Sequence, residues 1–164
     1  MARALLVGCG CRGRDLGWRL LEAGWQVRGT SRRAEGLEAI AAAGIEPVEA
    51  DPDRPGTLLD AVGDVTVVAW LLARATGEAV SLDAIHGPRL ERLLEKLVDS
   101  PVRGFVYESA ASSPGRLGGG ARAVREAGER WRIPVRVLEE DPDDHERWAG
   151  VALDAVLALT APLP

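Results

Sequence analysis

The sequence predicts an α/β chain built on a doubly wound parallel sheet of six strands in the order 3-2-1-4-5-6. Three observations carry that expectation. Short apolar runs alternate with amphipathic helix patterns from end to end, so both faces of the sheet need helical cover. The first run, Ala4-Leu5-Leu6-Val7, ends in Gly8-Cys9-Gly10-Cys11-Arg12-Gly13, a G-x-G-x-x-G that opens a helix at once. Right-handed crossovers, with that loop leading, then set the strand order.

Strands are expected at residues 4–7, 26–30, 46–49, 65–70, 104–108 and 135–138. Helices are expected at about residues 12–23, 34–43, 57–62, 82–98, 121–131 and 143–159. Leu16, Leu20 and Leu21 form the apolar stripe of the first helix. Gly24, Gly44 and Gly63 each follow a helical run, where a left-handed residue closes a helix. Asp51-Pro52-Asp53-Arg54-Pro55-Gly56 breaks the chain before the third helix, and Ser100-Pro101 ends the long fourth one. The stretch from Ser109 to Gly120 follows the fifth strand on the ligand-binding edge of the sheet. A lid over the ligand and a shortened connector both fit it. The acids between Glu139 and Glu146 open the last helix, where they complement its dipole. With six βα units assigned, residues 1–164 read as a single domain with no segment left for a separate substrate domain.

Composition narrows the function classes. Hydrophobic residues make up 46% and charged residues 27%, which describes an ordinary soluble globular chain. No apolar run approaches the roughly 20 residues of a membrane span, and no secretory leader pattern is visible, so the expectation is cytoplasmic. A net charge of −5, without a basic stripe carrying interleaved aromatics, argues against nucleic acid as the partner. Cys9 and Cys11 stand too close in sequence for ordinary disulfide geometry. Only His86 and His145 could join them on zinc, so no metal site is expected and both cysteines read as small residues filling a tight turn.

The glycine loop carries the chemistry. Gly8 permits the turn out of the strand, Gly10 lets a pyrophosphate approach the backbone, and Gly13 lets helix and strand pack closely. Cys11 and Arg12 then belong to the phosphate-facing turn at the positive end of the helix. An NAD site commonly places an acid at the end of the second strand, to hold the ribose hydroxyls. Here that place reads Thr30-Ser31-Arg32-Arg33. Hydroxyls and guanidinium forks suit a 2′-phosphate, with Arg12 adding to the same pocket, so NADP(H) is the expected cofactor and NAD(H) the alternative. Solvated arginines opening a helix are the competing reading. Trp70-Leu71 lies at the end of the fourth strand, as an apolar wall for a nicotinamide or as a dimer contact. A methyltransferase is the rival ligand class, because Val7-Gly8-Cys9-Gly10 also opens S-adenosylmethionine sites. The position of Gly13 and the missing ribose acid count against it.

Over roughly residues 2–140 the chain resembles the short-chain dehydrogenase/reductase superfamily. The likeness is to its extended and atypical branches, with the NAD-dependent epimerase/dehydratase-like and NmrA-like proteins. The glycine loop, Gly29-Thr30-Ser31-Arg32, Asp51 after the third strand and Phe105-Val106-Tyr107-Glu108-Ser109 carry the resemblance. It implies an adenine contact at Asp51, with Pro52 lacking the amide that often completes it. It also implies that Ser109 stands where the family has its catalytic Ser or Thr. The family's Tyr-x-x-x-Lys pair has no counterpart: Tyr107 precedes Ser109 and the single lysine is Lys96. The expected function is therefore a non-catalytic nucleotide-binding or redox-sensing module that works on a protein partner or as a homodimer. An NADP-dependent oxidoreductase with a non-standard site is the alternative.

Overall fold

In the computed structural model, which describes residues 1–109 and 115–161, six parallel strands form one sheet in the order β3-β2-β1-β4-β5-β6. The strands are β1 (Arg3–Val7), β2 (Gln26–Ser31), β3 (Glu46–Glu49), β4 (Val67–Trp70), β5 (Gly104–Glu108) and β6 (Val135–Leu138). The order reverses between β1 and β4, which pair in register from Ala4 with Val67 to Val7 with Trp70. That reversal opens a crevice at the carboxyl ends of the strands, with the glycine loop at its centre.

Two cores follow from the period-two geometry of a strand buried on both sides. Ala4 and Leu6 face one layer with Leu16, Leu20, Ile40, Trp148 and Val156. These come from α1 (Cys11–Glu22), α2 (Ala34–Ala42) and α7 (His145–Ala158). Leu5 and Val7 face the other layer with Leu58, Leu90, Leu93, Phe105 and Val124. That layer is built by α3 (Pro55–Leu59), α4 (Ala79–Ile85), α5 (Pro88–Leu97) and α6 (Arg116–Trp131). No helix among the described residues is long and apolar enough to cross a membrane.

The helix boundaries depart from expectation at three places. The long fourth helix is two, because Gly87 adopts a non-helical backbone (φ −141°, ψ −109°) and Pro88 starts α5 at its first turn. The third helix begins at Pro55 rather than after it, again with proline in the first turn. The glycine-rich stretch after β5 is helical from Arg116 onward, through Gly118, Gly119 and Gly120. Of the expected lid or connector, residues 110–114 lie outside the described residues.

Candidate nucleotide site

The glycine loop is held from below. The Gly8 amide donates to Thr30 Oγ1 (3.2 Å) and the Cys9 amide to the Thr30 carbonyl (3.1 Å), so the end of β2 anchors the turn. Thr30 is buried, lines the larger cleft and supports the loop from below by accepting the Gly8 amide. Gly8 has φ +82°, and a Cβ there would stand 2.7 Å from the Leu71 carbonyl oxygen. Only glycine meets both demands. Cys9 turns inward under Gly29, where a Cβ would come within 2.7 Å of its sulfur. Burial pushes the Cys9 thiol up to about 12, despite the nearby Arg14 charge, so the thiol is inert near neutrality. Gly13 packs against Cys9 and Gly8, with 3.4 Å left for a Cβ.

Gly10 differs from its neighbours. It caps α1 with an extended backbone, and a Cβ built on it meets nothing within 4 Å. The space above it is open to a ligand. No side chain caps the first-turn amides of α1, which also have no intrahelical acceptor. A diphosphate fits this cradle by charge and by donor geometry.

Two clefts meet over the loop and share Gly8, Gly10, Arg12, Leu71 and Arg74. The larger, about 580 Å³, extends over β2 and β3 past Ser31, Arg32, Arg33 and Asp51, and is walled on the far side by Ser81 and Leu82 of α4. The smaller, about 260 Å³, runs toward Pro142 and His145 at the start of α7. Arg74, which lines both clefts, is paired with Asp143 (2.5 Å). Arg32 and Arg33 are exposed on the rim of the larger cleft, and neither makes an ion pair among the described residues. Ser31 Oγ accepts the Arg33 amide (3.2 Å), and Asp51 accepts the Asp53 amide (2.9 Å), so both side chains shape turns in the cleft wall.

Two expected roles change and one is kept with an addition. Arg12 lines the larger cleft with Arg32 and Arg33. Its guanidinium makes a two-pronged ion pair with Glu108 (2.6 and 3.3 Å) and lies 5.1 Å over the Trp148 ring. Trp70 is fully buried against Phe105 and offers no wall to a ligand, because the pleat turns it into the core while Leu71 faces the clefts. Ser109 is buried, donates its hydroxyl to the Leu117 carbonyl (3.4 Å), and lines neither cleft. Cys11 is exposed beside Gly10 and lines the smaller cleft. No cluster of three or more potential metal ligands occurs among the described residues.

Sequence reasoning missed two buried polar pairs. Glu108, at the end of β5, is 1% exposed and accepts the Ala73 amide (3.1 Å) as well as Arg12. Burial pushes its carboxyl above the usual carboxylate range, against the pull of the Arg12 guanidinium. The only sequence signal was an acid closing the apolar run Phe105-Val106-Tyr107. His86 closes α4 and is buried. Its Nε2 lies 3.1 Å from the Leu72 carbonyl and its Nδ1 2.7 Å from Tyr107 Oη. A carbonyl only accepts, so Nε2 carries the hydrogen and Tyr107 donates to Nδ1. Burial holds the imidazole below its ordinary pKa and the phenol above its own.

The chain matches no family model and no curated protein. Among the solved structures it is similar to are an epimerase and two reductases. UDP-glucuronic acid 4-epimerase from Bacillus cereus, in complex with NAD, shares 16% identity over 84% of this chain and 56% of its own, at a TM-score of 0.63. Vestitone reductase from alfalfa (Medicago sativa) shares 18% over 85% and 56%, at 0.63. The triphenylmethane reductase of Citrobacter sp., complexed with NADP(H), shares 19% over 85% and 49%, at 0.65. The chain spans about half the length of these proteins. Fold and glycine loop together define a Rossmann-type domain. At these identities the likeness establishes the fold.

Proposed function

We propose that the chain binds a dinucleotide over its glycine loop, NADP(H) ahead of NAD(H), as a non-catalytic binding or redox-sensing module. The observation that carries this reading is the open space above Gly10, at the amide-rich end of α1, where two clefts meet. The amides of Cys11 and Arg12 would take the diphosphate. The larger cleft would take the adenosine half between Leu71 and Asp51, with Arg32 and Arg33 at a 2′-phosphate. The smaller cleft would take the other nucleoside. The bound nicotinamide would supply a hydride donor or acceptor.

Two features support a module over an enzyme. The single tyrosine, Tyr107, is sealed in the core against His86, and Ser109 faces α6. A module of this kind acts through a protein partner or a second copy of itself. One observation favours the catalytic alternative: the His145 imidazole lines the smaller cleft. Calorimetric titration of the chain with NADPH, NADH and S-adenosylmethionine tests the reading. Saturable binding of both dinucleotides, tighter for NADPH, supports it. Binding of S-adenosylmethionine alone overturns it.

A further inference from the structure

Among the described ion pairs, Arg12–Glu108 is the one with both partners withdrawn from water, their side chains 15% and 1% exposed. It is also the one whose cation stands in the first turn of α1 and lines both clefts. Removing one partner of a buried pair strands the other charge, which is strongly unfavourable unless that charge is neutralised. A carboxylate can neutralise itself by taking a proton, whereas a guanidinium cannot lose one.

We propose that Glu108 is a positioning residue of the nucleotide site. It holds Arg12 beside the glycine loop. On nucleotide binding, Arg12 turns to the diphosphate and Glu108 takes up one proton from the buffer. The inference rests on the nucleotide reading above. Charge balances on both sides of the step: the diphosphate replaces the carboxylate as counter-ion, and the carboxyl becomes neutral.

The surroundings of Glu108 fit the step. Arg12 approaches it from α1, the Ala73 amide and Arg74 from the segment after β4, and the Trp148 ring from α7. Arg74 is already paired with Asp143, so Arg12 is the cation that balances Glu108. Burial already raises the carboxyl pKa with Arg12 in place, so loss of Arg12 raises it further. The bound state therefore holds the extra proton, and affinity rises as pH falls, by at most about tenfold per unit for one proton.

Calorimetry of the full chain at pH 7, in two buffers of different protonation enthalpy, counts the protons. NADH is the first probe, because it carries the diphosphate without a 2′-phosphate that itself titrates near neutrality. Uptake approaching one proton is expected. Glu108→Gln should abolish the uptake, flatten the pH profile and bind NADH more tightly than the unmodified chain, because an amide competes less for Arg12. Uptake that survives Glu108→Gln places the proton on another group, such as His145 or His86, and overturns the inference. Binding with no uptake and a flat profile in the unmodified chain overturns it too, while leaving the nucleotide reading intact. Failure of NADH and NADPH to bind at all removes the nucleotide reading and the inference together. Should Glu108→Gln fail to fold, infrared difference spectra of the unmodified chain decide: a protonated-carboxyl band gained on binding NADH supports the inference, and its absence overturns it.

Discussion

At Gly8 a side chain would collide with the protein; at Gly10 it would collide with nothing but a ligand. This contrast makes Gly10→Val a clean test. Its backbone (φ −82°, ψ −156°) accepts a β-branched residue, so the cooperative melt should persist. Dinucleotide affinity should fall below detection by calorimetry, and normal NADPH binding would show that the loop is no phosphate cradle. Arg32 and Arg33 support a second prediction. Both are exposed and unpaired among the described residues, so changing both to alanine should leave stability near that of the parent. Charge-assisted hydrogen bonds contribute roughly 1.5–3 kcal/mol each, or about 10- to 150-fold in affinity. The double change should therefore erase the preference for NADPH and spare NADH. Equal affinities in the unmodified chain would sink the assignment. The expected fourth helix shows what residue-level reading overlooked. Gly87-Pro88 is a breaker visible in the sequence inside the expected span of residues 82–98.

At the scale of elements, the helix α4 and the strand β5 are pinned together by His86 and Tyr107. Tyr107→Phe leaves the His86 Nδ1 lone pair buried without a donor, which costs about 1–3 kcal/mol. Thermal melts should drop, while nucleotide affinity should hold, since neither residue lines a cleft by its ring. The same pair sets a pH dependence. His86 is held below its ordinary value of 6.5 in the folded state, so the unfolded chain binds the proton first. Its contribution to stability is complete above about 6.5 and is lost as pH falls from there toward the folded value. The melting temperature should therefore decline as pH falls from 7 to 5. His86→Asn should flatten that decline, and an unchanged slope would mean that the imidazole titrates freely. β1 and β4 were legible because their apolar runs are continuous, as buried parallel strands require. The start of α6 was not, since three consecutive glycines argue against a helix. Close packing of Gly120 on the Tyr107 hydroxyl favours glycine there.

At the scale of the whole molecule, the question is whether hydride chemistry follows binding. Proton transfer by a positioned side chain is typically worth 10²–10⁴-fold in rate. Tyr107 and Ser109 both face away from the clefts. A screen of aldehydes, ketones and alcohols that follows NADPH absorbance should show little or no turnover. Brisk turnover abolished by His145→Ala would make the chain an oxidoreductase and displace the module reading.

The alternation of strand and helix, the sheet order and the place of the glycine loop were determined by the sequence itself. These rest on local signals: periodicity, punctuation by glycine and proline, and the handedness of crossovers. The rim arginines were legible for the same reason, because they follow β2 directly in the chain. Which side chains meet inside the crevice was decided only by the tertiary structure. Arg12 and Glu108 are 96 residues apart, and they meet because β1 and β5 flank β4 and end at one level of the sheet. Trp70 went to the core and Leu71 to the clefts by the pleat of a single strand. His86 is buried where it meets Tyr107 of β5 and the Leu72 carbonyl after β4. Burial and partnership are properties of the packed molecule, and a residue's own neighbours in sequence do not carry them.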